Sequence, residues 1–239
     1  MFVLLPIGDE PNQHLRKPVL TWLLVAANVA IFAVMASEGG REESLEPVLR
    51  RWGYVPAVAD PVTVLTHMFC HVSWLHVLGN CLFLWIFGDN VESRLGHLRF
   101  LVAYLATGVA ALYVHLLFEG SASDQVLVGA SGAVSGVQGL YFVACPGARV
   151  RMLFWFIYIV RTFLVPARLV MVLWFLVQDV VPVLVAGRGD NVAHWAHLGG
   201  FASGLLLMGL LLPWVGRNER PQRPSVNERY RRRLPPRGL

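Results

Sequence analysis

Two residues of this sequence could together make a nucleophile. Ser131 sits in Gly129-Ala130-Ser131-Gly132, and His197 in Ala196-His197-Leu198-Gly199-Gly200. A serine hydroxyl is a weak nucleophile until a neighbouring base takes its proton, and a neutral imidazole can do that. Attack on a carbonyl creates an oxyanion, which needs donors already aimed at it. His76 and Asn80 are four apart, so on a helix they share one face and offer side-chain donors. The backbone N–H of Ser131, close to a helix start, adds a further donor with a favourable dipole. His71 precedes this pair and is a supporting candidate. Nothing in the sequence brings a carboxylate to His197. Asp179, beside Gln178 in a later apolar run, reads as a buried hydrogen-bonding group, so a dyad is expected rather than a triad.

Each residue also has a bland explanation. A Gly-x-Ser-Gly stretch is usually a packing motif, and the spacings Gly132/Gly136 and Gly200/Gly204 are those that let helices approach closely. That explanation serves the chemistry too. Small residues beside Ser131 and beside His197 would bring their two helices together, as a Ser-His hydrogen bond requires.

The elements that must position these residues belong in a membrane. Of 239 residues, 56% are hydrophobic and 15% charged, whereas a soluble domain averages about 25% charged. There is too little charge to cover the surface, and the same numbers exclude disorder and collagen-like repeats. Cys70, Cys81 and Cys145 are too few and scattered for a disulfide framework. Six apolar runs approach the roughly 20 residues a span needs: 19–36, 75–87, 98–118, 130–144, 168–186 and 192–215. The expected fold is therefore an all-α membrane protein, a six-transmembrane-helix bundle over 19–215, flanked by an N-terminal segment 1–18 and a basic tail 216–239. The first run is too long for an ordinary signal-peptide core and reads as a retained helix. A further apolar stretch, 150–165, is interrupted by Arg151 and Arg161 and reads as interfacial or re-entrant, with a seventh helix as the alternative.

Lys and Arg accumulate in cytoplasmic loops. With six spans, sixteen basic residues fall on the side of both termini and four on the other, so both termini are expected in the cytoplasm. A seventh span would break that alternation. The net charge of +5 thus records topology rather than nucleic-acid binding. The tail carries Arg and Pro with few large apolar residues and is expected to be disordered. In this topology the second, fourth and sixth helices all begin at the outer face. His76, Asn80, Ser131 and His197 then fall at a similar depth, where polar residues are costly and are functional suspects.

In this order the motifs resemble those of the rhomboid intramembrane serine proteases, bacterial members in particular. They are His71-Val72-Ser73-Trp74-Leu75-His76-Val77-Leu78-Gly79-Asn80, Val91-Glu92-Ser93-Arg94-Leu95-Gly96, Gly129-Ala130-Ser131-Gly132, and Ala196 to Gly200 with Gly204. The resemblance implies a bundle enclosing a cavity open to the extracytoplasmic side of a bacterial plasma membrane. It implies Ser131 as nucleophile, His197 as general base, and His76, Asn80 and the Ser131 N–H as the oxyanion hole. His71 is implied nearby, and Gly129, Gly132, Gly200 and Gly204 as the supporting small residues. No metal or organic cofactor is implied. The implied partners are the transmembrane segments of substrate proteins within the lipid bilayer. Where many bacterial relatives carry a Trp-Arg pair before the first of these histidines, this chain reads Pro61-Val62-Thr63-Val64.

Two rival readings use the same residues. The pairs His67/His71 and His194/His197 have spacings that could place metal ligands on one helix face, but no His-Glu-x-x-His motif or acidic cluster accompanies them. Alternatively, the chain could be a rhomboid-like binding factor without catalysis, which the presence of both Ser131 and His197 disfavours.

Overall fold

The computed structural model describes residues 2–10, 17–39, 45–185 and 192–215. After strand β1 (Phe2–Glu10) come helices α1 (Val19–Gly39), α2 (Glu46–Trp52) and α3 (Thr63–Thr66), the last running into a 3-10 turn, His67–Phe69. The long helices α4 (Trp74–Leu95) and α5 (His97–Glu119) follow, then α6 (Ser131–Ala144). Strands β2 (Arg149–Phe156) and β3 (Ile159–Pro166) lead to α7 (Ala167–Phe175), a π-helical turn (Leu176–Val180), α8 (Val181–Val185) and α9 (His194–Val215).

The six apolar runs correspond to α1, α4, α5, α6, the α7-to-α8 rod and α9. Among the described residues, four helical stretches are long and apolar enough to cross a membrane: Val19–Ser37, His97–Glu119, Ala167–Val185 and His194–Val215. A fifth forms if Thr63–Phe69 and Trp74–Leu95, bent by 94°, count as one broken span. At 14 residues, α6 rises about 21 Å, less than the roughly 30 Å of a bilayer's apolar layer.

Burial follows the logic of lipid rather than water. Leu75, Leu117, Leu206, Leu210 and Trp214 stand outward, while Thr21, Asn28, Asn80, Glu92, Thr107, Gln138 and Asp179 are buried. Helices satisfy their own backbone groups, so polar side chains can be reserved for the inside. Glu92 shows the use made of this. Fully buried on α4, it accepts hydrogen bonds from the N–H groups of Leu20 and Thr21 at 2.8 and 2.7 Å and from the Thr21 hydroxyl at 2.7 Å. A carboxylate thus caps the positive end of α1 and fixes it against α4.

Stretch 150–165 corrects one alternative of the sequence reading: it is not a seventh helix. It forms the antiparallel β2–β3 hairpin, in register from Arg149 opposite Pro166 to Phe156 opposite Ile159. Its Val, Ile, Phe and Thr residues favour pleated backbone, and the turn at Ile157 and Tyr158 has Ile157 at φ 51°. β1 pairs with β2 as the third strand, with an irregularity between Pro6 and Gly8. Segment 1–18 therefore supplies a strand of this sheet. The Asn90 amide of α4 and the Tyr141 hydroxyl of α6 both donate to Asp9, the former at 2.7 Å, and tie β1 to the bundle. The expectation for tail 216–239 lies outside the described residues.

Candidate active site

Polar side chains converge where the bend meets α4. Ser73 is extended and its hydroxyl accepts from the His76 N–H at 3.2 Å, so α4 begins with an N-cap whose third helical residue is His76. Asn80 follows one turn later, on the same face. His71 lies in the bend before α4, not within the helix, and is fully buried. Its Nδ1 lies 3.3 Å from the Phe69 carbonyl and its Nε2 3.1 Å from the Asn80 Nδ2. A carbonyl only accepts, so Nδ1 carries the proton and Nε2 accepts from Asn80. That fixes the Asn80 amide and leaves its second N–H for another acceptor. The His71 and His76 rings meet edge to face at 5.0 Å.

Opposite α4, the chain entering α6 passes close to His76. Gly129 has φ 120°, which only glycine adopts readily, and its N–H donates to the His67 carbonyl at 2.9 Å. A Cβ at Gly129 would lie 2.8 Å from the His76 Nε2 and 3.6 Å from the Ser131 Oγ. Glycine here is thus what allows the loop to bring Ser131, the first residue of α6, beside His76. Ser131 also lines a small cavity with His67, His115, Gly129, Ala193 and Ala196.

α6 and α9 touch backbone to backbone. A Cβ on Gly200 would sit 2.1 Å from the Gly132 carbonyl oxygen, and one on Gly204 2.1 Å from that of Gly136. From the other side, a Cβ on Gly139 would meet the Phe201 carbonyl at 2.2 Å. The small-residue spacings of the sequence are therefore the contact between these helices. A Cβ on Gly132 would lie 3.8 Å from the Ala196 carbonyl oxygen, so the residue after Ser131 faces the residue before His197. Among the described residues, no hydrogen bond joins the Ser131 hydroxyl to His197.

His197 bonds instead to Asp179, which corrects the expectation that no carboxylate would reach it. The His197 Nδ1 is 2.7 Å, and the His194 Nδ1 3.1 Å, from the same Asp179 Oδ1. Asp179 is 2% exposed and lies in the π-helical turn, Leu176–Val180, within the rod Ala167–Val185. The group Asp179, His194 and His197 offers ligand atoms within 4.8 Å of one another and so could hold a metal ion. It supplies the acidic partner that the sequence did not place beside His194/His197. The distances nonetheless favour hydrogen bonds. Two ligands at about 2.0–2.1 Å from a tetrahedral zinc lie about 3.3 Å apart, so the 2.7 Å His197 contact fits a shared proton. The pair His67/His71 does not form such a group: the His67 Nδ1 lies 2.9 Å from the Thr63 carbonyl, and His71 is engaged as described.

His115 on α5 was missed by the sequence reading. It lines the Ser131 cavity, and its buried Nδ1 has no hydrogen-bond partner among the described residues. The available signal was an ionisable residue inside run 98–118, a functional suspect by position alone.

A bundle of apolar helices with inward polar groups, a serine at one helix start and a histidine on the glycine-packed neighbour define a class of helical membrane protein. Residues 59–214, well over half of the chain, match the Rhomboid domain, and the chain belongs to the rhomboid family. It is 27% identical to rhomboid protease GluP of Bacillus subtilis (strain 168) over 209 residues, covering 84% of this chain and 36% of that protein. Rhomboid protease GlpG of Enterobacter sp. (strain 638) is 33% identical over 125 residues, 52% of this chain and 43% of GlpG. The chloroplastic rhomboid-like protein 11 of Arabidopsis thaliana is 44% identical over 73 residues, 30% of this chain and 25% of that protein. The chain spans less than half the length of each of these relatives.

Proposed function

We propose that this protein is an intramembrane serine endopeptidase that hydrolyses peptide bonds in or near the transmembrane segments of other membrane proteins. The observation that supports the reading is the glycine-mediated contact of α6 and α9, the helices that carry Ser131 and His197, with Gly129 packed against His76 just before Ser131. In the proposed reaction the Ser131 Oγ attacks the substrate carbonyl while its proton passes to the His197 Nε2. The oxyanion is held by the free N–H of Asn80, by His76 and by the Ser131 N–H at the start of α6. Collapse expels the amine, which takes the proton from His197. Water, deprotonated by the same imidazole, then releases the acyl group. Six spans with both termini cytoplasmic, in a bacterial plasma membrane, would open this site to the extracytoplasmic side. The charge asymmetry of the loops supports that orientation. A helical amide is hidden by its own hydrogen bonds, so the substrate must unwind locally, which Gly or Pro near the cleaved bond favours.

The test is covalent labelling of detergent-purified protein with a serine-directed fluorophosphonate, alongside cleavage of a reporter carrying a transmembrane segment. The wild type is expected to label and to cleave, and the Ser131→Ala variant to do neither. A folded wild type as inert as the variant would move the function to binding of membrane proteins.

A further inference from the structure

We infer that Asp179 is a positioning residue for this hydrolysis: its carboxylate holds His197 as the Nδ1–H form and so presents the Nε2 lone pair to Ser131. The inference rests on the proposed protease function and adds a third member to what the sequence presents as a dyad.

Three features carry it. The first is geometry. A neutral imidazole has one donor and one acceptor nitrogen, and the partner of one nitrogen decides the role of the other. A carboxylate 2.7 Å from the His197 Nδ1 leaves that nitrogen the donor and Nε2 the base. The second is placement. Asp179 is a buried acid in an apolar rod, a position that is costly and uncommon without a purpose. It lies in a π-helical turn, Leu176–Val180, an irregularity frequent at functional sites. The third is support. His194 donates to the same Oδ1 at 3.1 Å, so the carboxylate is anchored from α9 by two imidazoles on successive turns. When Ser131 transfers its proton, His197 becomes an imidazolium, and the adjacent carboxylate stabilises that charge while the oxyanion forms. No proton need move to Asp179.

Asp179→Asn keeps the side-chain shape and removes the charge. In purified protein, it should lower kcat on the reporter, and the fluorophosphonate labelling rate, by at least about tenfold. KM and the thermal midpoint should stay at wild-type values. Unchanged kcat in Asp179→Asn, with Ser131→Ala inert, would overturn the role of Asp179 and leave the protease reading standing. A wild type as inert as Ser131→Ala would overturn the protease reading itself, and this inference with it. If Asp179→Asn does not fold, the wild type still decides. In 15N-histidine spectra, with His197 identified by its loss in His197→Gln, Nδ1 should be protonated and Nε2 bare; the opposite tautomer would overturn the inference. Stoichiometric zinc in the wild type, with activity lost to a chelator, would also overturn it and make Asp179, His194 and His197 a metal site.

Discussion

Gly204→Ala tests whether backbone contact between α6 and α9 sets the distance between Ser131 and His197, the proposed nucleophile and base. The new Cβ would lie 2.1 Å from the Gly136 carbonyl oxygen, 2.9 Å from its carbon and 3.0 Å from the Leu140 nitrogen. All three atoms belong to backbone, so no side chain can swing aside. Restoring an ordinary separation of roughly 3.3 Å requires the helices to part by about 1 Å. Overpacking of this kind costs about 1–3 kcal/mol, which a folded bundle survives. Seven residues away, His197 would move from Ser131 by a similar amount, and a misplacement of about 1 Å can cost about a hundredfold in rate. The labelling rate with a fluorophosphonate is therefore expected to fall by about two orders of magnitude in protein that still melts cooperatively. Gly209→Ala is the control on the same helix, because a Cβ there meets nothing within 4 Å; its rate should match wild type. A Gly204→Ala protein that labels at the wild-type rate would refute the argument that this contact governs the dyad.

Other substitutions probe separate links. Asn80→Ala removes a proposed oxyanion donor and should lower turnover about a hundredfold with little change in melting; an unchanged rate would take Asn80 out of the site. Glu92→Ala strips the Leu20 and Thr21 N–H groups and the Thr21 hydroxyl of their acceptor. It should cost roughly 2–4 kcal/mol of stability, read as a lowered melting temperature. Asp9 ties β1 to the bundle, and its pKa is pushed up to about 6, chiefly by burial, with the Glu10 charge adding to the rise and the Tyr141 and Asn90 hydrogen bonds opposing it. The folded chain then holds a proton that an unfolded chain, with an ordinary carboxylate near 3.8, has released. Docking of β1 is accordingly strongest below about pH 4 and weakens by about 3 kcal/mol as pH rises through 6. Hydrogen exchange of the β1 amides, corrected for intrinsic rates, should show this slope, and Asp9→Asn should flatten it.

The bundle was largely legible because lipid imposes one strong rule, that runs of apolar residues must be helical. Runs 19–36, 98–118 and 192–215 fall on helices Val19–Gly39, His97–Glu119 and His194–Val215. The contact of α6 with α9 was legible for a different reason. Gly132, Gly136, Gly200 and Gly204 repeat at four-residue spacing, and a repeat of small residues has meaning only as a contact. The hairpin was not legible by hydropathy. Val, Ile, Phe and Tyr at 150–165 are as apolar as a span, and what separates a strand from a short buried helix is the partner it finds. Here that partner, β1, lies more than a hundred residues earlier in the chain.

Asp179 was hidden by periodicity itself. Helical-face reasoning advances about 100° per residue along an unbroken α-helix, and on that wheel nothing directs Asp179 to His197 rather than to its neighbours. The π-helical turn inserts one residue without adding a turn of helix, so every position after it is rotated by about one residue's step. Local sequence carries little sign of that insertion, since Leu176, Val177 and Val180 are ordinary residues of an apolar helix. What it does carry is the cost. An acid in the middle of run 168–186 must find donors inside the protein or be excluded from the bilayer. The chain also places two histidines, His194 and His197, at the start of the next helix. Buried acid and paired imidazoles hydrogen-bond to one another in the fold. In an apolar bundle, unsatisfied polar groups therefore constrain one another's positions even where helical phase misleads.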